Sequence, residues 1–330
     1  MPIEVEAVVI RGKGGPEVLS LDVITIRDPG PSEVRVRVRA AGLNRADTLQ
    51  RRGFYPAPKG APADVPGLEF AGEVEAVGEG VFDVKVGDRV MGITAGGGMA
   101  QAIVVHEREL VRIPEGLDFV QAAAIPEVFM TAFDALFLQG GLGPGKAALL
   151  HAAASGIGTA GAQLAHAVGA RAFGTLRSPE KLARLEGFGF EALVVAKEKR
   201  FEDELRAVLP GGADVILDTV GAAYLEQNLD VLAPRGVLVI IGMMGGTRAE
   251  VSLNTLLAKR ATIRGSVLRS RPLEEKAALA RAFEQQVLPL FESGRCRPVV
   301  DEVFPAKEIA AAHVAMEANR NVGKLVVTFG

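Results

Sequence analysis

The stretch Leu149-Leu150-His151-Ala152-Ala153-Ala154-Ser155-Gly156-Ile157-Gly158 decides the fold. It predicts a short apolar strand, a turn of small residues and a helix that continues to about residue 168. A diphosphate needs unobstructed backbone N–H groups and the positive end of a helix, and such a turn supplies both. Aligned on Gly-x-Gly-x-x-Gly, the key positions are Ala153, Ser155 and Gly158. Turns of small residues also occur where a helix simply packs on a sheet. The interpretation of this turn as a dinucleotide-binding site therefore depends on its place in a βαβ unit.

Strands and helices alternate on the C-terminal side of this turn, after a predicted helix at residues 122–138. The predicted strands cover residues 148–151, 171–176, 192–196, 214–218, 237–242 and 262–268. The predicted helices between them cover residues 178–186, 201–209, 224–232 and 253–259. Repeated βα units of this length form a parallel sheet with helices on both faces, so we predict a doubly wound α/β domain.

The first 120 residues have a different character. Val34, Val36 and Val38 alternate with arginines, a period of two that predicts a strand with one core face and one solvated face. Further strands are predicted at residues 4–10, 70–77, 88–91 and 102–105, separated by Gly/Pro-rich turns, which favours a small barrel-like domain. The tail predicts a long amphipathic helix at 273–291, a strand at 299–303, a helix at 306–318 and a strand at 324–329.

Composition excludes several classes of function. A length of 330 residues predicts two folding units, and a net charge of −3 provides no basic field for nucleic acid. The single cysteine, Cys296, excludes an intrachain disulfide framework and a four-thiolate metal site. The uncharged run 147–170 contains polar residues and glycines, so we interpret it as a strand and a helix rather than a membrane span. The N-terminus lacks the pattern of a signal peptide, and we expect a cytoplasmic protein without a membrane anchor.

The end of the second strand of the α/β domain predicts which dinucleotide binds. An NAD site usually has Asp or Glu here to hold the ribose 2′-hydroxyl. This chain has Arg177 and Ser178 instead, with Lys181 three residues later. Charge-assisted contacts to a phosphate contribute about 1.5–3 kcal/mol each, which favours NADPH. The alternative is that Arg177 and Lys181 are ordinary surface residues at the start of a helix.

Motifs along the whole chain resemble the zinc-independent quinone oxidoreductases of the medium-chain dehydrogenase/reductase superfamily. The motifs that carry the resemblance are Gly14-Gly15-Pro16-Glu17, Asn44-Arg45-Ala46-Asp47, Gln50-Arg51-Arg52-Gly53-Phe54-Tyr55, Pro66-Gly67-Leu68-Glu69-Phe70-Ala71-Gly72, Val86-Gly87-Asp88-Arg89-Val90, Ala122-Ala123-Ala124-Ile125-Pro126-Glu127, Gly242-Met243-Met244-Gly245-Gly246, Leu268-Arg269-Ser270-Arg271 and Met316-Glu317-Ala318-Asn319-Arg320-Asn321-Val322-Gly323-Lys324. Those near the C-terminus are most similar to the branch that contains the tumour-suppressor-inducible quinone oxidoreductase.

The resemblance implies a GroES-like β-barrel domain around an inserted Rossmann domain. The barrel domain would comprise residues 1–121 and 269–330, and the NADPH-binding domain residues 122–268. An active site in the cleft between them is implied, as is a homodimer joined edge to edge through the cofactor domains.

The resemblance also implies roles for individual residues. Asn44 would lie beside the nicotinamide and Tyr55 over the substrate, where Tyr55 is the best hydrogen-bond donor to the developing oxyanion; Ser155 is a third candidate near the reacting ring. Cofactor contacts are expected from Thr131, Ser155, Gly156, Ile157, Gly158, Arg177, Ser178, Lys181, Gly242, Met243, Met244, Leu268, Asn321 and Lys324. Ala196 stands where close relatives carry a tyrosine near the adenine, so stacking at that position is not expected.

A catalytic zinc is not expected, because its usual ligands are missing. The segment Asn44-Arg45-Ala46-Asp47 has no thiolate, and Leu68 stands where zinc-dependent relatives carry a histidine. The four histidines show no ligand spacing, and no Gly-x-Ser-x-Gly nucleophile motif occurs. The chemistry is therefore expected to come from placement of the cofactor, exclusion of water and a hydrogen-bond donor to the acceptor oxygen.

Three functions are consistent with this sequence. The first is NADPH-dependent reduction of quinones by hydride or sequential electron transfer. The second is NADPH-dependent reduction of the C=C bond of 2-alkenals or enones, in which Tyr55 would supply or position the proton for the α-carbon. The third is an NADPH-binding protein with a structural or sensory role.

Overall fold

A computed structural model of the chain describes residues 1–196, 198 and 200–330. The chain divides into two compact units. The first unit comprises Met1–Met130, Leu268–Ser293 and Arg297–Gly330, and the second comprises Thr131–Val267 and Gly294–Cys296. The segment that follows the predicted α/β domain therefore belongs mainly to the first unit.

Strands and helices are numbered along the chain. The strands are β1 (Ile3–Ile10), β2 (Leu19–Ile26), β3 (Glu33–Leu43), β4 (Glu69–Val77), β5 (Arg89–Ile93), β6 (Ala102–His106), β7 (Leu110–Arg112), β8 (Ala147–Leu150), β9 (Arg171–Leu176), β10 (Phe190–Val195), β11 (Ala213–Asp218), β12 (Leu232–Ile240), β13 (Thr262–Gly265), β14 (Val300–Pro305) and β15 (Lys324–Thr328). The α-helices are α1 (Arg45–Arg51), α2 (Phe119–Ala122), α3 (Pro126–Phe133), α4 (Gly156–Ala167), α5 (Glu202–Val208), α6 (Leu225–Val231), α7 (Leu253–Lys259), α8 (Leu273–Gln286), α9 (Leu288–Glu292) and α10 (Ile309–Glu317).

The first unit is built on a sheet with the strand order β14-β15-β3-β4-β5-β7, with β6 also paired to β3. The valines of β3 are buried in its core, as the alternating pattern predicts. The arginines on the other face of β3 are paired rather than free in water. Arg35 and Arg37 both donate to the carboxylate of Glu75 on β4, at 2.5 and 3.1 Å.

The pairing of β15 with β3 brings the end of the chain to the start of α1. The strands are antiparallel, with Leu325 opposite Leu43 and Val326 opposite Gly42. Lys324 precedes Leu325 and Asn44 follows Leu43, so this antiparallel register brings Lys324 level with Asn44. This register assembles the polar cluster that is described below.

The second unit contains the predicted doubly wound parallel sheet. Its strand order is β10-β9-β8-β11-β12-β13, and every pair in it is parallel. Counted from β8, this is the order 3-2-1-4-5-6, in which dinucleotides bind outside the carboxyl ends of the strands where the order reverses. That point lies between β8 and β11.

Three predicted helices differ in the structure, each near a proline. The helix predicted at 178–186 is instead two short 3-10 turns, Pro179–Lys181 and Ala183–Leu185. The helix predicted at 273–291 is interrupted between α8 and α9, because Pro289 has no N–H to continue a ladder and fits only the first turn of a new helix.

The helix predicted at 122–138 divides in the same way. It consists of α2, then α3 starting at Pro126, and then a π-helical segment, Asp134–Gln139. By length and composition alone the whole stretch Phe119–Gln139 is long and apolar enough to cross a membrane. Since 78% of its apolar window is buried inside the protein, it has the burial of a core helix. The uncharged run 147–170 is a strand, a turn and a helix, as predicted.

Candidate functional site

The turn between β8 and α4 has the geometry of an anion-binding loop. Ser155 is the N-cap of α4, and its Oγ accepts a hydrogen bond from the Gly158 N–H at 3.1 Å. The Ala153 N–H donates to the carbonyl of Thr175 on β9 at 2.9 Å, which fixes the turn against the sheet. No acceptor among the described residues is found for the N–H groups of Gly156 and Ile157. These two donors, at the positive end of a helix, are available to a phosphate.

Gly158 permits the close contact between α4 and this turn. A Cβ at this position would lie 2.5 Å from the carbonyl oxygen of Ala153 and 2.7 Å from that of Ala152. Both obstacles are backbone atoms of the turn itself, so they cannot rotate away. The position therefore fits the third glycine of a dinucleotide-binding turn, whose role is close helix–strand packing.

The carboxyl end of β9 carries a cation where NAD-binding proteins usually carry a carboxylate. Arg177 follows the last residue of the strand and is exposed, and Ser178 is half-buried beside it. Burial raises the pKa of Tyr224, and the nearby charge of Arg177 partly offsets that rise. Ala196, after β10, is buried in the core cluster of this unit and offers no aromatic surface to an adenine.

A buried polar chain links three strands beneath this edge. His151 Nε2 lies 2.6 Å from Asn228 Oδ1, and His151 Nδ1 lies 2.8 Å from Thr175 Oγ1. Asn228 Nδ2 donates to Asp218 Oδ2 at 3.1 Å, which orients the amide so that its oxygen accepts the His151 Nε2–H. Burial lowers the pKa of His151 to about 4 and raises that of Asp218 to about 6. His151 is therefore neutral at pH 7. These hydrogen bonds connect the turn between β8 and α4 to strands β9 and β11.

Two buried hydroxyl groups in the second unit have no hydrogen-bond partner among the described residues: Thr131 Oγ1 and Thr219 Oγ1. Thr131 is one of the predicted cofactor contacts, whereas sequence reasoning did not single out Thr219, which directly follows β11. A buried unpaired hydroxyl costs about 1–3 kcal/mol, so such groups are usually satisfied by a ligand or water. These two groups support the fit of a nicotinamide cofactor to this unit.

The other predicted cofactor contacts have mixed surroundings. Met243 and Met244, in the turn after β12, are more than half exposed, and Gly242 packs against Thr219. Leu268 is buried, and Asn321 donates to the carbonyl of Gly323 at 2.8 Å. Whether these residues touch a cofactor stays a prediction.

Asn44 and Lys324, predicted from opposite ends of the chain, are in direct contact in the first unit. Lys324 Nζ donates to Asn44 Oδ1 at 2.6 Å and to the carbonyl of Leu43 at 2.8 Å, and it forms a 2.6 Å ion pair with Glu69 Oε1. Asn44 Nδ2 donates to the same Glu69 oxygen at 2.9 Å. A lysine has three hydrogens to donate, and all three are used here. Lys324 therefore fixes the orientation of the Asn44 amide and has no hydrogen left for a ligand.

Asp47 anchors the segment from the other side. Its two carboxylate oxygens accept the N–H of Asn44 at 2.8 Å and the N–H of Gly67 at 3.0 Å. Gly67 has a positive φ of 103°, and a Cβ there would lie 2.4 Å from the Met99 nitrogen, so glycine is required for this approach. Burial raises the pKa of Asp47 to about 6 despite these bonds and the nearby cations.

Tyr55 is held by an arginine that sequence reasoning did not assign. The guanidinium of Arg269 lies 4.9 Å from the centre of the Tyr55 ring, and its Nη1 donates to the Tyr55 carbonyl at 3.1 Å. Arg269 also donates to Gln50 Oε1 at 2.5 Å and to the carbonyl of Ala95 at 2.7 Å. The Tyr55 ring is half-buried, and its hydroxyl makes no hydrogen bond to the described residues. The phenol is therefore positioned through its ring and backbone, with its O–H free for a ligand.

A third carboxyl group, Glu127 at the start of α3, completes the cluster. Its N–H donates to Glu69 Oε2 at 2.8 Å. Burial raises the pKa of Glu127 to about 8, and the negative charge of Glu69 adds to the effect. Burial likewise raises the pKa of Tyr55, with a further contribution from Glu127. Glu69, Glu127 and Arg269 lie within motifs that carry the family resemblance, but nothing in the sequence of those motifs indicates that the three side chains belong to one cluster.

The cluster does not fit a catalytic zinc. Leu68 is apolar and buried, and the carboxylate of Glu69 is occupied by the Lys324 ammonium. Within residues 1–196, 198 and 200–330 no group of three or more His, Cys, Asp or Glu is placed to hold a metal. The Lys324 ammonium therefore occupies the carboxylate that a metal ion would have to bind.

Comparison with known proteins gives a family match for each of the two units. Residues 30–115 match the alcohol dehydrogenase GroES-like domain family, and residues 156–284 match a family described as zinc-binding dehydrogenase. The chain is 39% identical over 321 residues to a quinone oxidoreductase of Pseudomonas aeruginosa, covering 95% of this chain and 96% of that protein.

Solved structures give the same result. A quinone oxidoreductase of Pseudomonas syringae pv. Tomato DC3000 has a TM-score of 0.88 and 31% identity, covering 98% of this chain and 100% of that one. The JamJ enoyl reductase in its apo form has a TM-score of 0.88 and 28% identity, covering 99% of both chains. The predicted fold class is confirmed, and the chain belongs to the quinone oxidoreductases of the medium-chain dehydrogenase/reductase superfamily.

Proposed function

We propose that this protein is an NADPH-dependent quinone oxidoreductase that works without zinc. The observation that carries the proposal is the polar cluster around Asn44, which is organised by the Lys324 ammonium. In such a site, activation of the acceptor carbonyl falls to hydrogen-bond donors. The similarity to quinone oxidoreductases supports quinones as the acceptors.

The cofactor, when bound, supplies a hydride from C4 of its nicotinamide to the acceptor, or the same electrons in sequence. In our proposal the Gly156 and Ile157 N–H groups bind the diphosphate. Arg177, Ser178 and Lys181 bind the 2′-phosphate, and Thr131 binds the nicotinamide amide.

Tyr55 is the donor that we assign to the acceptor oxygen. Its hydroxyl is free of protein partners, and Arg269 fixes the ring in place. A phenol with a raised pKa keeps its proton through the neutral range, so it can donate a hydrogen bond to the oxygen as negative charge develops there. Asn44, whose amide is fully committed to Lys324, Glu69 and Gly42, would present a fixed edge to the nicotinamide.

Cofactor choice is tested by the double variant Arg177→Ala with Lys181→Ala. NADPH affinity should fall about 100-fold or more, because two charge-assisted contacts are lost. NADH affinity should stay within about twofold, because NADH has no 2′-phosphate. Arg171→Ala is the matched control, since this exposed arginine begins the same strand and pairs with Glu191. Equal losses for both cofactors would refute the assignment.

Reduction of the C=C bond in 2-alkenals or enones is the alternative function. The similarity to enoyl reductase structures favours it. Steady-state NADPH oxidation with an ortho-quinone, a para-quinone and an alkenal separates the two functions. Tyr55→Phe should lower alkenal turnover by about 100-fold or more if the phenol takes part in proton transfer, and quinone turnover less, because water readily protonates a reduced quinone. Tight NADPH binding without turnover of any acceptor would instead favour the structural or sensory role.

We further propose a homodimer through the open edge of the parallel sheet. In the described part of the chain β13 pairs only with β12, so its outer edge offers unpaired N–H and C=O groups. Leu253 and Leu257 on α7 are 68% and 76% exposed close by in sequence. An edge that pairs with its own copy gives a closed twofold interface, and Leu253→Glu with Leu257→Glu should then yield monomers by light scattering. Val23→Glu, at an exposed valine of the first unit, should leave the dimer intact. The cytoplasmic location stays a prediction.

A further inference from the structure

Three loops at the carboxyl edge of the parallel sheet have to keep fixed positions if they bind one dinucleotide. They are the turn after β8, the residues after β9 and the loop after β11. In the proposed function the first binds the diphosphate and the second binds the 2′-phosphate. Because both groups belong to one molecule, the distance between these two loops matters for binding.

His151 connects all three loops through hydrogen bonds between side chains. It is the first residue after β8. Its Nδ1 lies 2.8 Å from Thr175 Oγ1 near the end of β9, and its Nε2 lies 2.6 Å from Asn228 Oδ1 on α6. Asn228 Nδ2 donates to Asp218 Oδ2 at 3.1 Å, at the end of β11. Asp218 Oδ1 in turn accepts the N–H of Val220 at 2.6 Å, in the loop that follows.

The donors and acceptors in this series leave one arrangement of protons. Asn228 donates its N–H to a carboxylate, so its oxygen accepts the His151 Nε2–H. The buried ring is neutral, so Nδ1 carries no hydrogen and accepts the Thr175 hydroxyl. The side chains of His151, Thr175, Asn228 and Asp218 are all 1% exposed or less, so bulk water does not replace a lost partner.

The packing around the His151 ring fixes its orientation. The ring centres of Phe201 and Tyr224 each lie 4.9 Å from that of His151, both with an interplanar angle of 66°. Edge-on contacts of this kind are favourable for aromatic rings. A phenylalanine at this position would keep the ring packing and lose both hydrogen bonds, which separates the two contributions of His151.

Thr175 transmits this constraint to the predicted 2′-phosphate site. It is bound to the turn twice, because its carbonyl accepts the Ala153 N–H at 2.9 Å and its hydroxyl donates to His151. Arg177 follows two residues later in the chain. The position of Arg177 relative to the Gly156 N–H therefore depends on both hydrogen bonds.

We propose that His151 is a positioning residue that sets the preference for NADPH over NADH, by holding the end of β9 at a fixed distance from the diphosphate-binding turn. The inference rests on the proposed function, in which Arg177 binds the 2′-phosphate. NADH has no 2′-phosphate and uses the turn without Arg177. Loss of the hydrogen bond between His151 and Thr175 therefore weakens NADPH binding more than NADH binding. His151 acts through Thr175 and is not a catalytic residue.

Binding of the two reduced cofactors to the whole protein, followed by their fluorescence, tests this role. Thr175→Val removes only the hydroxyl, so the Kd for NADPH should rise about tenfold and that for NADH less than about threefold. Thr175→Ser keeps the hydroxyl and should restore the wild-type ratio of the two Kd values. Asp214→Ala is the matched control, because it removes a 2.8 Å hydrogen bond to the Ala147 N–H at the amino ends of β11 and β8. It should lower stability without changing the ratio.

A double-mutant cycle tests whether Thr175 acts through His151. His151→Phe should lower the preference for NADPH as Thr175→Val does, and the double variant should lower it no further. Additive effects would show that Thr175 acts by another route and would overturn the proposal. A ratio that neither single variant changes, although Arg177→Ala with Lys181→Ala abolishes it, would also overturn the proposal and leave the proposed function intact.

Hydrogen exchange at the Ala153 amide supplies a readout that needs no cofactor. Its rate is compared with that of the Arg171 amide, which donates to the Lys146 carbonyl at 2.8 Å at the amino end of β9. Relative to Arg171, exchange at Ala153 should be about fivefold faster in Thr175→Val and His151→Phe, and no faster in Asp214→Ala. Unchanged exchange in both variants would refute the positioning role. Equal binding of NADPH and NADH by the wild type, with faster exchange in the variants, would refute the proposed cofactor and not the link between His151 and β9.

Discussion

The buried ion pair between Lys324 and Glu69 yields a large and specific stability effect. The Nζ–Oε1 distance is 2.6 Å, and the side chains are 5% and 0% exposed. Lys324→Met removes the cation, the hydrogen bonds to Leu43 and Asn44, and the compensation of a buried carboxylate. Breaking a buried pair by removing one partner costs about 3–5 kcal/mol. In a domain of this size that corresponds to a fall in Tm of roughly 10 °C.

Two further variants separate charge from packing. Lys324→Met combined with Glu69→Gln removes both charges, so it should be more stable than Lys324→Met alone by about 2 kcal/mol or more. Lys85→Met is the matched surface control. Lys85 also lies 2.6 Å from its partner, Asp88, but its side chain is 80% exposed. Its loss should cost less than about 1 kcal/mol, because water screens the pair.

The assay can be confined to the first unit. The chain has no tryptophan and two tyrosines, Tyr55 and Tyr224, one in each unit. In a Tyr224→Phe background, tyrosine fluorescence therefore reports unfolding around Tyr55 alone, which avoids treating two units as a single transition. If Lys324→Met unfolds no more easily than Lys85→Met, the buried pair is not the constraint that we infer, and Lys324 does not organise the cluster.

Three further outcomes follow from single contacts. Burial lowers the pKa of His151 from 6.5 to about 4, so folding stability present above pH 6.5 is lost by about 3 kcal/mol as the pH falls to 4; His151→Gln should remove that part of the loss in denaturation measured across this range. Gly158→Ala should raise the Kd for NADPH at least about tenfold, because its Cβ would collide with backbone, whereas Gly161→Ala, which meets leucine side chains at 3.1–3.4 Å, should change it little. Arg269→Met should lower kcat by roughly 10–100-fold through loss of the Tyr55 position, and Arg269→Lys should recover only part of that loss, because it keeps the charge but not the planar fork.

The features that could be predicted from the sequence are those that local patterns determine. The apolar strands of the second unit and the helices between them predicted a parallel sheet, and α7 matches its predicted range, 253–259. The small residues Ala153, Ala154, Ser155, Gly156 and Gly158 predicted the turn, and at Gly158 the backbone leaves no room for a side chain. Two of the helix errors arose where Pro126 and Pro289 stand in the first turn of a new helix, inside runs whose apolar periodicity continues across the break.

The polar cluster could not be predicted in the same way. Lys324 reaches Asn44 only because β15 pairs with β3 in one particular register, and a shift of one residue would direct its side chain to the other face. Glu127 and Arg269 are ordinary charged residues in their local sequence. Their place in the cluster depends on tertiary packing, which brings Glu127 and Arg269 together from distant parts of the sequence. The hydrogen-bonded series His151–Asn228–Asp218 could not be predicted either, because each of these residues, taken alone, is ordinary at the end of a strand or within a helix.

The same arrangement bears on which acceptors this protein can reduce. A metal ion polarises a carbonyl strongly, whereas a phenol that is positioned by a neighbouring arginine stabilises developing negative charge less. If the acceptor is activated without a metal ion, as we propose, the acceptor must itself accept electrons readily. Its reduced form must also take up a proton to complete the reaction. Quinones and conjugated enones meet both conditions, and simple ketones do not meet the first.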